Sequence, residues 1–83
     1  MKTKNREEIK KEISSIIAEI LEEEYVPFEE DAHLVKDIGL DSMGFLELAI
    51  QIQRSFDILI PNEDWKNIIT LKDLLDTIEN KAQ

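Results

Sequence analysis

Apolar residues recur along this chain at helical spacing in three separate stretches, joined by connections of very different length. In the first stretch Ile9, Ile13, Ile16, Ile17, Ile20 and Leu21 share one side of a helix, and Asn5 followed by Glu8 has the spacing of a capping box. The pattern predicts a helix from about Arg6 to Glu23. Its five isoleucines are poor helix formers, so packing against a neighbour has to hold it. The Glu22-Glu23-Glu24 end opposes the helix dipole, which predicts fraying there.

Tyr25 to Leu40 shows no helical period and forms a connection longer than most in compact domains. Val26, Phe28, Leu34, Ile38 and Leu40 are the expected anchors into the core. Pro27 blocks helix continuation, and Gly39 offers a positive φ ahead of the next N-cap. The second helix is predicted from Ser42 to about Phe56, with Asp41 as its N-cap. Met43, Phe45, Leu46, Leu48, Ala49, Ile50, Ile52 and Phe56 spread over about 220° of a helical projection. That arc is wider than contact with one neighbour requires, so this helix is expected to be the central one. Gly44, Glu47, Gln51, Arg54 and Ser55 form the polar strip, and Gln53 interrupts the apolar arc.

Ile58-Leu59-Ile60 has the composition of a strand, but a lone strand has no partner, so it reads as an extended connection. Asn62 to Ile68 makes at most two short helical turns, anchored by Trp65. Thr70 and Asp73 repeat the capping-box spacing, and Leu71, Leu74, Leu75 and Ile78 carry a last helix to about Lys81. The expected fold is all-α, a small four-helix bundle of three main helices and one short one, with a long loop between the first and second. It forms one domain over residues 1–83. A domain of this size buries only roughly 60–65% of its unfolded surface, so nearly every periodic apolar residue is needed.

Charge narrows the function. The 83 residues hold 10 Lys and Arg against 19 Asp and Glu, a net charge of −9, which disfavours nucleic acid and anionic membranes as partners. Basic protein surfaces are the natural complement, although an acidic surface serves solubility as well. No cysteine is present, so the chain has neither disulfide nor thiol. No apolar run approaches the roughly 20 residues of a membrane span, and Met1 to Glu8 is too charged for a signal peptide. A soluble, cytoplasmic monomer is the expectation.

Ser42 is the residue that calls for an explanation. With Asp41 as N-cap, its hydroxyl stands at a helix N-terminus, where free N–H groups and the helix dipole favour an anion such as a phosphate. A nucleophile elbow would need Gly two residues before the serine, whereas Gly39 is three before it, and His33 is the chain's one histidine, in a loop. A calcium loop beginning at Asp37 would need Gly and a carboxylate where Ser42 and Leu48 stand. His33 among Glu29, Glu30, Asp31 and Asp37 reads as a solvated histidine, not a metal ligand. Covalent modification of the serine remains.

Asp37-Ile38-Gly39-Leu40-Asp41-Ser42-Met43 resembles the Asp-Leu-Gly-x-Asp-Ser-Leu/Met signature of acyl carrier proteins, the phosphopantetheine-bearing carriers. The resemblance continues through Leu46-Glu47-Leu48, Phe56 and Ile60-Pro61 and covers nearly the whole chain. It implies a non-catalytic carrier whose Ser42 receives 4′-phosphopantetheine from coenzyme A through a phosphopantetheinyl transferase. Acyl groups would then ride as thioesters on that arm in fatty-acid, polyketide or related biosynthesis. By the same resemblance Asp41 helps the transferase place Mg²⁺, in addition to capping. Partner enzymes with basic docking surfaces would meet Leu40, Met43, Glu47 and Arg54. Gly44, Gln53, Arg54 and Ser55 stand where many fatty-acid carriers have carboxylates, which points to a specialised member.

Met43-Gly44 after Asp41-Ser42 is also similar to D-alanyl carrier proteins, so an aminoacyl cargo stays open. Two readings of the core stay open as well: Leu46, Ile50 and Leu75 either line a space for an acyl chain or close a dry interior. Met43 is expected as a contact and Phe45 as core. A small acidic helical interaction domain, with Ser42 unmodified or phosphorylated, is the alternative from another functional class.

Overall fold

Asn5 begins the first helix as its spacing predicts. Its side chain accepts from the Glu8 amide at 2.9 Å, and the Glu8 carboxylate accepts from the Asn5 amide at 3.2 Å. The computed structural model describes residues 5–81, and four helices follow in order: α1 (Arg6–Leu21), α2 (Ser42–Phe56), α3 (Asn62–Trp65) and α4 (Leu71–Lys81). The charged start of the chain, from Met1 to Lys4, lies outside the described residues. The fold is all-α, a small helical bundle without a sheet among the described residues. An isolated antiparallel bridge joins His33 to Thr70.

α1, not α2, is the central helix. It makes the close backbone approaches to both α2 and α4, and buries Ile9, Ile13, Ile16, Ile17 and Ala18. α2 buries only Leu48 and Ile52 fully, while Leu46 and Ile50 are exposed at 58% and 43%. Neither therefore closes the interior, although Leu75 does. The wide arc of α2 thus divides into a core flank and a solvent flank. Burying the solvent flank would need another helix on that side, and the described chain has none there.

α1 ends with the last residue of its apolar period, Leu21, short of the expected Glu23. Glu22 adopts the left-handed conformation (φ 59°, ψ 40°), and its amide and that of Glu23 turn back onto carbonyls of Ala18 and Glu19. The last turn holds no base, and Glu22 and Glu23 follow it, so nothing compensates the dipole and the helix ends at Leu21.

The long loop is held by its backbone as well as by its apolar residues. Leu34 N–H donates to Ile69, Leu71 N–H to Ala32 and Lys72 N–H to Glu30, stitching the loop to the entrance of α4. Val26, Leu34 and Leu40 are buried, and Phe28 and Ile38 pack partly against the core. α4 starts on the expected cap: Thr70 Oγ1 accepts from the Asp73 amide at 3.2 Å, and the Asp73 carboxylate accepts from the amides of Ile69 and Thr70. The Ile58–Pro61 segment is extended, and α3 is a single turn. Trp65 seats that turn by an edge-on contact with Phe45, ring centroids 5.6 Å apart.

Candidate functional site

The turn ahead of α2 is built from three short-range devices. Gly39 takes φ 94°, a region open to glycine, and its amide donates to Val35 at 3.1 Å. Leu40 N–H donates to Leu34, which seats Leu40 in the core. Asp41 is extended (φ −93°, ψ −173°), and its carboxylate accepts from the Gly44 amide at 2.7 Å while its carbonyl accepts from Phe45. The predicted N-cap is therefore in place.

Ser42 follows as the first residue of α2. It is exposed, and its hydroxyl makes no hydrogen bond to any described residue. The amides of Ser42 and Met43 precede the first intrahelical bond, and no described group takes them up. An anionic ester on this hydroxyl would lie against free donors at the positive end of a helix, which fits the phosphodiester that the signature implies.

His33 is not simply solvated, as its loop position suggests. Its Nδ1 accepts from the amides of Val35 (3.1 Å) and Lys36 (3.0 Å), so the proton of the neutral ring resides on Nε2. Its own amide donates to the Asp37 carboxylate at 2.8 Å. His33 and Asp37 thus cap the turn that delivers Gly39 and Asp41 to α2. Among the described residues no group of His, Cys, Asp and Glu is placed to hold a metal ion.

The remaining candidates separate by exposure. Met43 is 75% exposed, and with Leu46 and Ile50 it forms an apolar line along the solvent flank of α2, starting next to Ser42. Glu47 and Arg54 are exposed beside this line, with Glu47 accepting from the Gln51 side chain. Leu40 is 2% exposed and cannot serve as a surface contact, because the core needs it as an anchor. Phe45 is half-buried on Trp65, a core role. Gln53, the polar interruption in the apolar arc, is structural, since its side-chain carbonyl accepts the Ile60 amide at 2.7 Å and holds the extended connection to α2.

An open groove of about 660 Å³, which no periodicity in the sequence announces, runs between the last turn of α1 and the first turns of α2. Ile20, Leu21, Leu40 and Met43 line its apolar part and Glu19, Glu22, Asp41 and Glu47 its acidic part. Gly44 leaves room for the turn ahead of α2: a Cβ on it would crowd Leu40 Cδ2 at 3.2 Å and Asp41 Oδ1 at 3.3 Å, while Ile20 Cγ2 of α1 would lie at an ordinary 3.7 Å. The glycine in the polar strip thus accommodates Leu40 and the Asp41 cap.

Comparison with known proteins agrees with this geometry. Residues 11–78 match the family described as phosphopantetheine attachment site. An acyl carrier protein of Prochlorococcus marinus is 35% identical over 77 residues, spanning 93% of this chain and 96% of that protein. One from Syntrophobacter fumaroxidans is 42% identical over 53 residues, spanning 63% of this chain and 65% of that protein. The crystal structure of an acyl carrier protein from Thermotoga maritima shares the fold with a TM-score of 0.79 at 24% identity, covering 92% of this chain and 88% of that one.

Proposed function

Since this chain belongs to the acyl carrier protein family, a family of non-catalytic carriers, we propose that Ser42 is its attachment point for 4′-phosphopantetheine and that its cargo is acyl. The observation that carries the reading is the exposed, unengaged Ser42 hydroxyl at the capped N-terminus of α2, inside the matched segment. When bound, the group supplies the thiol that this cysteine-free chain lacks, and that thiol holds acyl intermediates as thioesters for delivery to biosynthetic enzymes.

The chain's own residues divide the work. Asp41 fixes the first turn through Gly44 and leaves its second carboxylate oxygen without a described partner, which suits a Mg²⁺ ion brought by the transferase. The Ser42 and Met43 amides, without a described partner, would be donors for the phosphodiester on Ser42. Met43, Glu47 and Arg54 are the exposed residues that a visiting enzyme meets on α2, and Leu40 supports them from below.

Incubation of the apo chain with coenzyme A, Mg²⁺ and a promiscuous phosphopantetheinyl transferase, read by intact mass, tests the assignment. A phosphopantetheine mass gain that vanishes in Ser42→Ala is expected; no gain on the wild-type chain returns the reading to an acidic interaction domain. Asp41→Asn separates the two roles of the cap. Asparagine caps about as well as aspartate, so stability should hold within a few tenths of a kcal/mol while the transfer rate falls.

A further inference from the structure

His33, the chain's one histidine, stands between two parts of the fold. Its Nδ1 accepts from the Val35 and Lys36 amides, and its carbonyl accepts from those of Asp37 and Ile38, both at 2.9 Å. On one side the turn it caps runs on, Gly39 N–H donating to Val35 and Leu40 N–H to Leu34, into Asp41, the N-cap that sets Ser42. On the other side an antiparallel bridge to Thr70 ties His33 to the entrance of α4. A ring nitrogen accepts from two amides only while it carries no proton. Protonated on Nδ1, the ring is a donor facing two donors. Asparagine or serine would cap the turn without that dependence.

We propose that His33 is a positioning residue for Ser42 and makes the approach to α2 sensitive to pH: the turn is closed while the ring is neutral and loosens when the ring is protonated. The inference rests on Ser42 being the attachment point, since only then does the set of this turn bear on a reaction. The charges around the ring pull in both directions. Lys36 on the turn and Lys72 at the entrance of α4 oppose an imidazolium, whereas Glu30, Asp31 and Asp37 on the loop and Asp73 on α4 favour one. Asp37 and Asp73 already accept from backbone amides, Glu30 pairs with Lys10, and Lys72 pairs with Asp76. These charges act through solvent and are screened by salt, while the two amide bonds are direct, so the lost acceptor decides the sign. The contribution of the neutral ring is full above the histidine value of an unfolded chain, about 6.5, and is lost as pH falls below it.

The test compares wild type with His33→Asn, which caps without titrating in this range, and with His33→Ala, which removes the acceptor at every pH. The loss of net negative charge on acidification acts on all three alike. Amide hydrogen exchange of Gly39 and Leu40, expressed as protection relative to an unstructured chain, should fall about fivefold in wild type between about pH 7.5 and 5.5, the size of one lost cap. It should stay within about twofold in His33→Asn and be low at both pH values in His33→Ala. Nitrogen-15 spectra of the ring at neutral pH should show the Nε2–H tautomer. In the transfer reaction, followed by intact mass, the rate ratio of wild type to His33→Asn should fall about twofold or more between about pH 7.5 and 6.0, a ratio in which the transferase's own pH dependence cancels. Parallel pH profiles of these two chains, in exchange or in transfer, overturn the proposal. A mass gain absent from the wild-type chain at every pH instead overturns the Ser42 assignment, and the positioning role of His33 with it.

Discussion

At its N-terminal end α1 is fastened by the Asn5 capping box, and Arg6 and Lys10 reach carboxylates on the loop and on α4. Arg6 pairs with Asp76 at 3.3 Å and with Glu79, and Lys10 with Glu30 at 3.6 Å. At the C-terminal end, roughly 24 Å further along the axis, Glu22 ends the helix in a left-handed conformation, and Glu19 and Glu22 have no cation partner among the described residues. One end is arranged for stability. At the other, Glu19 and Glu22 line an open groove together with the exposed Met43. The difference shows why an acidic composition alone says little about a surface: the same residue type is paired within the fold at one end and has no cation among the described residues at the other.

Both ends depend on α1 being tied to one core, and the largest expected effect lies there. Ile13, fully buried midway along α1, should lose about 2–5 kcal/mol of stability as Ile13→Ala, measured by urea denaturation. By contrast Leu46→Ala on the solvent flank of α2 should change stability by at most about 0.5 kcal/mol. A similar loss at both positions would mean that α2 is covered on both flanks.

Next in size is the cap of α4, the helix to which Arg6 is paired. Burial pushes the Asp73 carboxyl up, but hydrogen bonds from the Ile69 and Thr70 amides and the Thr70 hydroxyl outweigh it and hold the group below its usual range. A depressed folded value stabilises the native state above the unfolded carboxylate pKa, near 3.9, and that contribution is lost as pH falls through the folded value. Asp73→Ala should cost about 1 kcal/mol at neutral pH, and the difference from wild type should shrink in acid below about pH 4.

The smallest expected effects belong to the uncompensated end and the surface of α2. Glu22→Gly removes the left-handed strain on a side-chain-bearing residue and should stabilise the fold by up to about 1 kcal/mol, read by thermal melting. Arg54→Glu puts an acid in place of the base in the last turn of α2, so it should cost about 0.3–1 kcal/mol of stability, read by thermal melting, and should alter which partner enzymes accept the chain. Unchanged selectivity would remove Arg54 from the docking surface.

Much of the molecule follows from local order along the chain. Three long helices, both capping boxes, the Asp41 cap, the positive φ at Gly39 and Ser42 at the start of α2 are set by short-range spacing and by backbone sterics within a few residues. The same holds for the resemblance that led to Ser42, because its signature is one continuous turn and helix start. Periodicity says which residues share a helical face but not what covers that face. Only packing made α1 the central helix and left Leu46 and Ile50 in solvent, although they are as apolar as their buried neighbours. Folding of the connections likewise gave His33 and Gln53 their bonding partners, since the path of the chain had to bring two backbone amides to the His33 ring and one to the Gln53 carbonyl. The groove that Glu19, Glu22 and Glu47 line together arises in the same way: about 25 residues of sequence separate its two sides, and the packing of α1 against α2 brings them together.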